Sequence, residues 1–230
     1  MPGPTSSTVE YTTVAAEHVH ELEVKRSRFI AYLFRTADED AARTAIAELR
    51  RRRHDARHHC SAFLLGPDRD VQRSNDDGEP SGTAGLPMLE ALAKRECPTG
   101  RADLSDTTAV VVRYFGGVLL GAGGLVRAYS QAVSSALDGA PLVRRRRMAL
   151  FTVEAAHADA GRLENELRSG GTTVLGTDYG PRAATLRLAV PDGPAVADGI
   201  AARLATLTAG TCTAVAAGTA WVDTPGGVVP

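Results

Sequence analysis

The chain has 230 residues, of which 43% are hydrophobic and 5% aromatic, and its formal net charge at pH 7 is −1. This length allows one large domain or two small ones, and the apolar content is enough for a packed core. The near-neutral charge excludes a whole-chain attraction to nucleic acid, so any such role needs a local basic patch. Three widely spaced cysteines argue against a disulfide framework, and no apolar run approaches the ~20 residues of a membrane span. We therefore expect a cytoplasmic protein with no signal peptide and no membrane segment.

The chain begins with alternating strand-like and helix-like segments. β-Forming residues between Tyr11 and Phe34 predict strands. The segment from Asp38 to Arg53 predicts a helix, because acidic residues lie at its start and arginines at its end, as the helix dipole favours. The sequences CSAFLLG and VQRSND, on either side of the turn PDRD, predict a hairpin.

Two further helices and a buried strand complete the first half. SGTAGLPMLEALAKREC opens on small capping residues and predicts a helix. TTAVVVRYF is a nearly continuous β-branched run, which is typical of a buried strand. GLVRAYSQAVSSALDGA predicts a helix that ends at Gly139 and Pro141.

Four consecutive arginines, Arg144 to Arg147, mark a seam and predict a linker or a solvated face. The elements beyond them follow the order β-α-β-β-α-β, the ferredoxin-like plan. They are the strands Ala149–Ala155, Thr172–Asp178, Ala184–Val190 and Cys212–Trp221 and the helices Asp159–Arg168 and Ala195–Leu207. We therefore predict an α+β protein with one domain over residues 9–143 and a second over residues 148–223.

A glycine-rich loop with an arginine at each end follows the buried strand. Glycines let backbone N–H groups approach an anion closely, and a helix start adds unpaired donors. The arginines can add charge and bidentate contacts. The loop has neither the ending of a Walker loop nor a Rossmann fingerprint, so it either binds an anion or merely permits close strand-to-helix packing. The candidate residues are Arg113, Gly116, Gly117, Gly123, Gly124 and Arg127.

An acidic loop, SNDDGEPSGTAG, lies about forty residues earlier in the chain. Its carboxylates Asp76, Asp77 and Glu79 could hold a hard cation, but DDGEP is also ordinary turn chemistry, and we predict no metal and no cofactor. The residues Ser81, Gly82 and Thr83 come just before a helix start. They could cap that helix, or cap it and also bind phosphate.

The sequence contains no complete catalytic motif. Ser81 lacks a G-x-S-x-G elbow, and His54 and His58 have the spacing of a zinc pair without the glutamate of an H-E-x-x-H helix. The arginine run 50–53 is a solvated face unless the fold brings it to the arginines of the glycine loop. We predict no catalytic residue, and we keep the acidic carboxylates and His58 as accessory candidates.

Four segments together resemble the IMPACT family of YigZ-type bacterial proteins. They are KRSRFIA (residues 25–31), HHC (58–60), SNDDGEPSGTAGLPML (74–89) and VVVRYFGGVLLGAGGLVRAY (110–129). The similarity extends over residues 10–140, and their order and spacing agree with the family. Leu119 stands where the family usually has a lysine, which implies weaker or different binding if that lysine holds a ligand.

The resemblance implies an N-terminal domain of the ribosomal protein S5 domain 2-like type and a ferredoxin-like domain similar to one in translation elongation factor G. Eukaryotic relatives are described as translation regulators that act through protein contacts. The expected function is therefore translation regulation through an anionic partner, RNA or a ribosomal surface. The alternatives are an enzyme that acts on a phosphorylated or nucleotide substrate with a carboxylate-bound metal, and a protein–protein interaction module.

Overall fold

The computed structural model describes residues 8–224, which form an α+β fold of ten strands and five helices. The chain divides into two compact units. Of the described residues, unit 1 comprises 8–145 and 223–224, and unit 2 comprises 146–222. No helix of the described residues is long and apolar enough to cross a membrane.

Unit 1 contains an antiparallel sheet with the strand order β2-β3-β6-β4-β5. The strands of this sheet are β2 (His18–Val24), β3 (Ser27–Arg35), β4 (His58–Leu65), β5 (Val71–Asn75) and β6 (Thr107–Tyr114). Strand β1 (Glu10–Val14) of unit 1 lies outside this sheet. The helices of unit 1 are α1 (Glu39–Arg52), α2 (Gly85–Ala93) and α3 (Ala122–Gly139). The buried strand predicted from TTAVVVRYF is β6, which lies at the centre of this sheet.

Both faces of the sheet are covered, which explains the continuous apolar runs of its central strands. Successive residues of a strand point to opposite faces. Phe29 of β3 accordingly packs in one core cluster with Tyr129 of α3, whereas Ile30 packs in another with Leu49 of α1. Helices α1 and α3 therefore cover opposite faces of the sheet.

Helix α1 begins and ends as its charge pattern predicted. The side chain of Asp38 accepts a hydrogen bond from the backbone N–H of Ala41 at 2.8 Å, which caps the helix. Acidic residues occupy its first turn and arginines its last. The next helix, α2, starts at Gly85, after the small residues that open its predicted segment. Residues 80–83 form a turn in which Gly82 has a φ of +75°.

The arginine run 144–147 lies inside a strand, so it is not a linker, whereas the exposed Arg144 and Arg146 agree with the other predicted alternative, a solvated face. Strand β7 (Leu142–Ala155) starts seven residues before the predicted Ala149. Carboxylates from distant parts of the chain pair with Arg145 and Arg147. Arg145 pairs with Asp106 at 3.4 Å within unit 1, and Arg147 pairs with Asp192 at 2.8 Å within unit 2.

Unit 2 has the predicted order β-α-β-β-α-β. After β7 come α4 (His157–Ser169), β8 (Thr173–Tyr179), β9 (Ala184–Pro191), α5 (Val196–Thr208) and β10 (Ala214–Asp223). β7 and β8 both pair antiparallel with β9, and β10 pairs with β7. Leu163 of α4 and Leu204 of α5 are buried against Leu186 of β9, so both helices contribute to one core.

Candidate functional site

The glycine loop between β6 and α3 packs tightly against the turn that joins β2 to β3. The backbone N–H of Gly116 donates to the hydroxyl of Ser27 at 3.1 Å. A Cβ added to Gly116 would lie 2.0 Å from the carbonyl carbon of Arg26, so only glycine fits at this position. Gly117 and Gly121 have φ values of +84° and +72°, in the left-handed region that favours glycine.

Helix α3 starts immediately after Gly121, and no side chain of the described residues caps this end. The N–H groups of Gly124 and Leu125 both donate to the carbonyl of Gly121. The exposed side chain of Arg127 folds back over the first turn, where its Nε donates to the carbonyl of Gly123 at 3.1 Å. An exposed guanidinium therefore lies beside an uncapped helix start.

Arg113, at the other end of the glycine loop, has a buried guanidinium. Its Nη1 donates to the Glu79 carboxylate at 2.6 Å, and the two side chains are only 8% and 4% exposed. The guanidinium also lies over the rings of Phe29 and Phe115, at 5.4 and 5.7 Å from their centroids. Arg113 was a candidate for anion binding, but its guanidinium is already paired with Glu79, a carboxylate of the acidic loop.

Tyr129 and Cys60 extend this buried cluster. The Tyr129 hydroxyl donates to the same Glu79 oxygen at 2.7 Å. The Cys60 thiol donates to the carbonyl of Asp76 at 3.0 Å, and its sulfur lies 3.3 Å from the Tyr129 hydroxyl. Burial raises the pKa of this thiol to about 12, so Cys60 remains protonated and unreactive at neutral pH.

The acidic loop is fixed by its own carboxylates. Asp76 accepts hydrogen bonds from the backbone N–H groups of Gly82, Ala84 and Gly85 at 2.8–3.0 Å. Its carboxylate therefore caps the start of α2, although it lies nine residues before Gly85 in the sequence. The carboxylate of Asp77 accepts from the side chain of Arg50 and from the backbone N–H of His59, both at 2.6 Å. Glu79 completes the set through Arg113, as described above.

The remaining candidates of this loop also make contacts within it. His58 Nδ1 donates to the carbonyl of Asp77 at 2.9 Å, and the hydroxyl of Thr83 donates to the carbonyl of Pro80 at 2.6 Å. The N–H of Gly82 is bonded to Asp76, whereas Ser81 is exposed. These polar groups therefore hold the loop and the start of α2 in shape.

Asp76 makes the stability of unit 1 sensitive to acid. Burial alone would raise the pKa of this carboxyl, but the three backbone donors outweigh it and hold the pKa below its ordinary value. A carboxyl with a lowered folded-state pKa stabilises the protein fully above its unfolded-state pKa of about 4. That contribution is lost as the pH falls through the folded-state pKa.

We expect Asp76→Asn to lower the free energy of unfolding at pH 7 by about 1.5–3 kcal/mol, the range for a charged hydrogen-bond acceptor. An amide can still accept through its oxygen but loses the charge and one acceptor. The difference between wild type and variant should narrow as the pH is lowered below about 4. Urea unfolding at several pH values measures it, and a difference that is independent of pH would contradict this role of the carboxylate.

Comparisons with known proteins agree with this architecture. A family model described as the Impact N-terminal domain matches residues 25–137. "IMPACT family member YvyE" of Bacillus subtilis (strain 168) is 46% identical over 158 residues, which cover 69% of this chain and 70% of the relative. The chain belongs to the IMPACT family.

Other members of the IMPACT family give a consistent result. "IMPACT family member YigZ" of Escherichia coli (strain K12) is 38% identical over 171 residues, which cover 74% of this chain and 80% of the relative. A solved structure described as "Crystal structure of an hypothetical protein" has 34% sequence identity and a TM-score of 0.58. That similarity covers 91% of this chain and 98% of the solved one.

Around the IMPACT-family glycine loop, the structure places residues that sequence reasoning missed. Lys25 and Arg26 form the two-residue turn between β2 and β3, with φ values of +47° and +65°, and both are exposed. Two-residue hairpin turns of this kind normally carry Asn or Gly. The sequence contained a signal for this turn, because the dipeptide KR separates two segments with a strand-like alternation. Phe115 and Leu119 of the loop are 53% and 84% exposed.

The arginine run 50–53 does not join these groups. It lies at the end of α1, which covers the sheet face opposite α3 and Arg127. Arg50 is paired with Asp77, and the Nε of Arg53 donates to the hydroxyl of Tyr32 at 2.8 Å. The basic groups beside the glycine loop are therefore Arg127 and the turn residues Lys25 and Arg26.

Proposed function

We propose that this IMPACT-family chain is a translation-associated regulator that binds an anionic partner, RNA or a ribosomal surface. The binding surface would be the glycine-loop surface, defined here as the β2–β3 turn, the β6–α3 loop and the first turn of α3. The translation role rests on the family resemblance. The anionic partner rests on the chemistry of this surface.

One observation carries the proposal: α3 starts without a side-chain cap, beside the exposed Arg127. A helix start carries unsatisfied N–H donors and the positive end of the helix dipole. The glycines at 117, 121 and 123 bring no Cβ into conflict with an approaching ligand. Lys25 and Arg26 add positive charge from the turn on which Gly116 packs. Together these groups suit phosphate oxygens along a nucleic-acid backbone.

The exposed apolar side chains of the same loop favour a second candidate function. Phe115 and Leu119 are large, exposed and separated by only three residues. Aromatic and aliphatic side chains of this kind serve as anchors in protein–protein contacts. A ribosomal protein, or another protein partner, could therefore use the apolar part of the surface while RNA uses the basic part.

The enzyme alternative depended on carboxylates that could hold a metal. Asp76, Asp77 and Glu79 each accept hydrogen bonds from protein donors, as described above. A metal at this loop would compete with those donors for the carboxylate oxygens. The contacts thus favour the binding proposal over the enzyme.

The fold assignments implied by the resemblance remain part of the proposal. We infer that residues 9–143 form an IMPACT-type domain of the ribosomal protein S5 domain 2-like type, and that residues 148–223 form a ferredoxin-like domain. The strand order β8-β9-β7-β10 in unit 2 supports the second assignment. A cytoplasmic location follows from the proposed role in translation.

We expect Arg127→Ala to weaken binding to an RNA oligonucleotide or to ribosomes by about 1–3 kcal/mol, the cost of losing a charged hydrogen-bond donor. Binding by the wild type should fall steeply between low and high salt, because phosphate contacts release counterions. Filter binding at two salt concentrations measures both effects. Thermal melts should be almost unchanged, since the side chain is exposed.

The matched control is Arg51→Ala, which removes an exposed arginine from α1 on the opposite face. It should leave the affinity close to that of the wild type. If wild-type protein has no salt-sensitive affinity for RNA or ribosomes, the anionic-partner proposal fails. Equal losses in both variants would show a diffuse charge effect and would remove the glycine-loop surface from the proposal.

A further inference from the structure

A second basic site lies on the other face of the sheet, away from the glycine-loop surface. It is a cavity of about 430 Å³ between α1 and the strands β4 and β5. Binding pockets for small organic molecules have volumes of roughly 300–1,000 Å³. The cavity is called the α1 cleft below, and it is large enough for a ligand of nucleotide size.

One part of the wall of the α1 cleft is apolar. Ile46 of α1 and Phe63 of β4 line it, and Phe63 belongs to a small core cluster with Ala42. These side chains lie where α1 packs on the sheet, so the core fixes their positions. A planar organic group could pack against this wall.

Three arginines surround the opening. Arg43 and Arg50 come from one side of α1, and Arg73 comes from β5 at the edge of the sheet. Each side chain is more than half exposed, at 66%, 53% and 60%. A phosphate monoester presents three oxygens to donors from several directions, whereas a carboxylate presents only two. Three guanidinium groups on two elements, α1 and β5, therefore suit a phosphate.

A carboxylate of the chain already bridges two of these arginines. Glu39 accepts from Arg43 at 2.9 Å and lies 3.5 Å from Arg73, so both guanidinium groups reach a single anion. Arg50 pairs with Asp77 at 2.6 Å. With two carboxylates beside three arginines, the rim keeps one net positive charge. Exposed ion pairs of this kind contribute little to stability, so a ligand that carries two charges can compete with them.

Ser61 adds a polar group to the wall of the α1 cleft. Its side chain lines the cleft, and the residue is only 6% exposed. A hydroxyl can both donate and accept a hydrogen bond, so a polar atom of a ligand in the cleft can bond to it.

We propose that the α1 cleft binds a small phosphate monoester that carries a planar organic group, with the phosphate held by Arg43, Arg50 and Arg73 and the organic group against Ile46 and Phe63. The hydroxyl of Ser61 donates to, or accepts from, a polar atom of this ligand. The proposal does not depend on the function proposed for the glycine loop, because the two surfaces share no residue.

The test uses the full chain and three probes in isothermal titration calorimetry: adenosine 5′-monophosphate, adenosine and inorganic phosphate. The monophosphate should bind with saturation at one site per chain. Adenosine and inorganic phosphate should each bind more weakly, because adenosine lacks the phosphate that the arginines hold and inorganic phosphate lacks the organic group that packs on the apolar wall. Arg73→Ala should weaken monophosphate binding roughly tenfold or more, the effect of losing a charged donor. Ser61→Ala should also weaken it, without loss of fold.

Arg51→Ala is the control, since this arginine lies on α1 but does not line the cleft. It should bind the monophosphate like the wild type. If the monophosphate does not bind, or binds Arg73→Ala as tightly as the wild type, the proposal is overturned. Adenosine binding as tight as that of the monophosphate would exclude recognition by the arginines. Equally tight binding of inorganic phosphate would exclude a role for the apolar wall.

Discussion

Glu79→Ala is expected to lower the free energy of unfolding of unit 1 by about 3–5 kcal/mol, the cost of leaving one partner of a buried ion pair unpaired. Glu79 accepts from both Arg113 and Tyr129, and these acceptor contacts lie in the core beneath the acidic loop. Without the carboxylate, the Arg113 guanidinium has no anionic partner in a buried position. Urea unfolding followed by circular dichroism measures the loss.

The control for Glu79 is Glu90→Ala, which removes an exposed carboxylate paired with Lys94. Its effect should be within about 0.5 kcal/mol. The double variant Glu79→Leu with Arg113→Met should recover much of the lost stability, because apolar residues of similar volume often replace a buried pair without cost. If Glu79→Ala were no less stable than Glu90→Ala, the pair would not hold the loop.

Gly116→Ala is expected to destabilise unit 1 by about 3 kcal/mol or more, at or above the usual range for overpacking. The added Cβ would lie 2.0 Å from the carbonyl carbon of Arg26 and 2.5 Å from the backbone nitrogen of Ser27. Both are backbone atoms, so relief requires the β2–β3 turn to move away from the loop. Thermal unfolding of the purified variant tests this expectation.

Gly123→Ala is the control, because this substitution in the same region should not destabilise unit 1. At Gly123, a new Cβ would meet only the far end of Arg127, at 3.9 Å. Because Gly123 lies in the first turn of α3, alanine should be neutral or stabilising by up to about 1 kcal/mol. Equal losses at both positions would mean that backbone flexibility, and not close packing, accounts for the requirement at Gly116.

Much of the fold follows from local signals in the sequence. β6 is identified by its continuous β-branched run, and α1 by its capping Asp38 and its charge gradient. In unit 2, the helices and the strands other than β7 begin and end within a few residues of their predicted limits. These features depend on neighbours in sequence, and the hydrophobic pattern records them directly.

The errors involve partners that are distant in sequence. The arginines of β7 were predicted to form a linker or a solvated face, and their partners Asp106 and Asp192 cannot be inferred from the run itself. Arg113 was a candidate for anion binding, and its buried pairing with Glu79 depends on the geometry of the acidic turn. In that turn, Asp77 and Gly78 both have positive φ. The α1 cleft also could not be predicted from the sequence, because it forms only where α1 packs beside β4 and the edge strand β5.

The acidic loop has a consequence for how this protein can vary and be engineered. Surface connections rich in glycine and charge usually tolerate insertions and deletions. Here the carboxylates at positions 76, 77 and 79 attach the loop to the start of α2, to α1 and β4, and to the buried arginine of β6. Adding or removing one residue between them would detach at least one of these anchors. A change in the length of this connection is therefore expected to be as damaging as an insertion or deletion in the protein core. Tags or split sites are better placed in other connections.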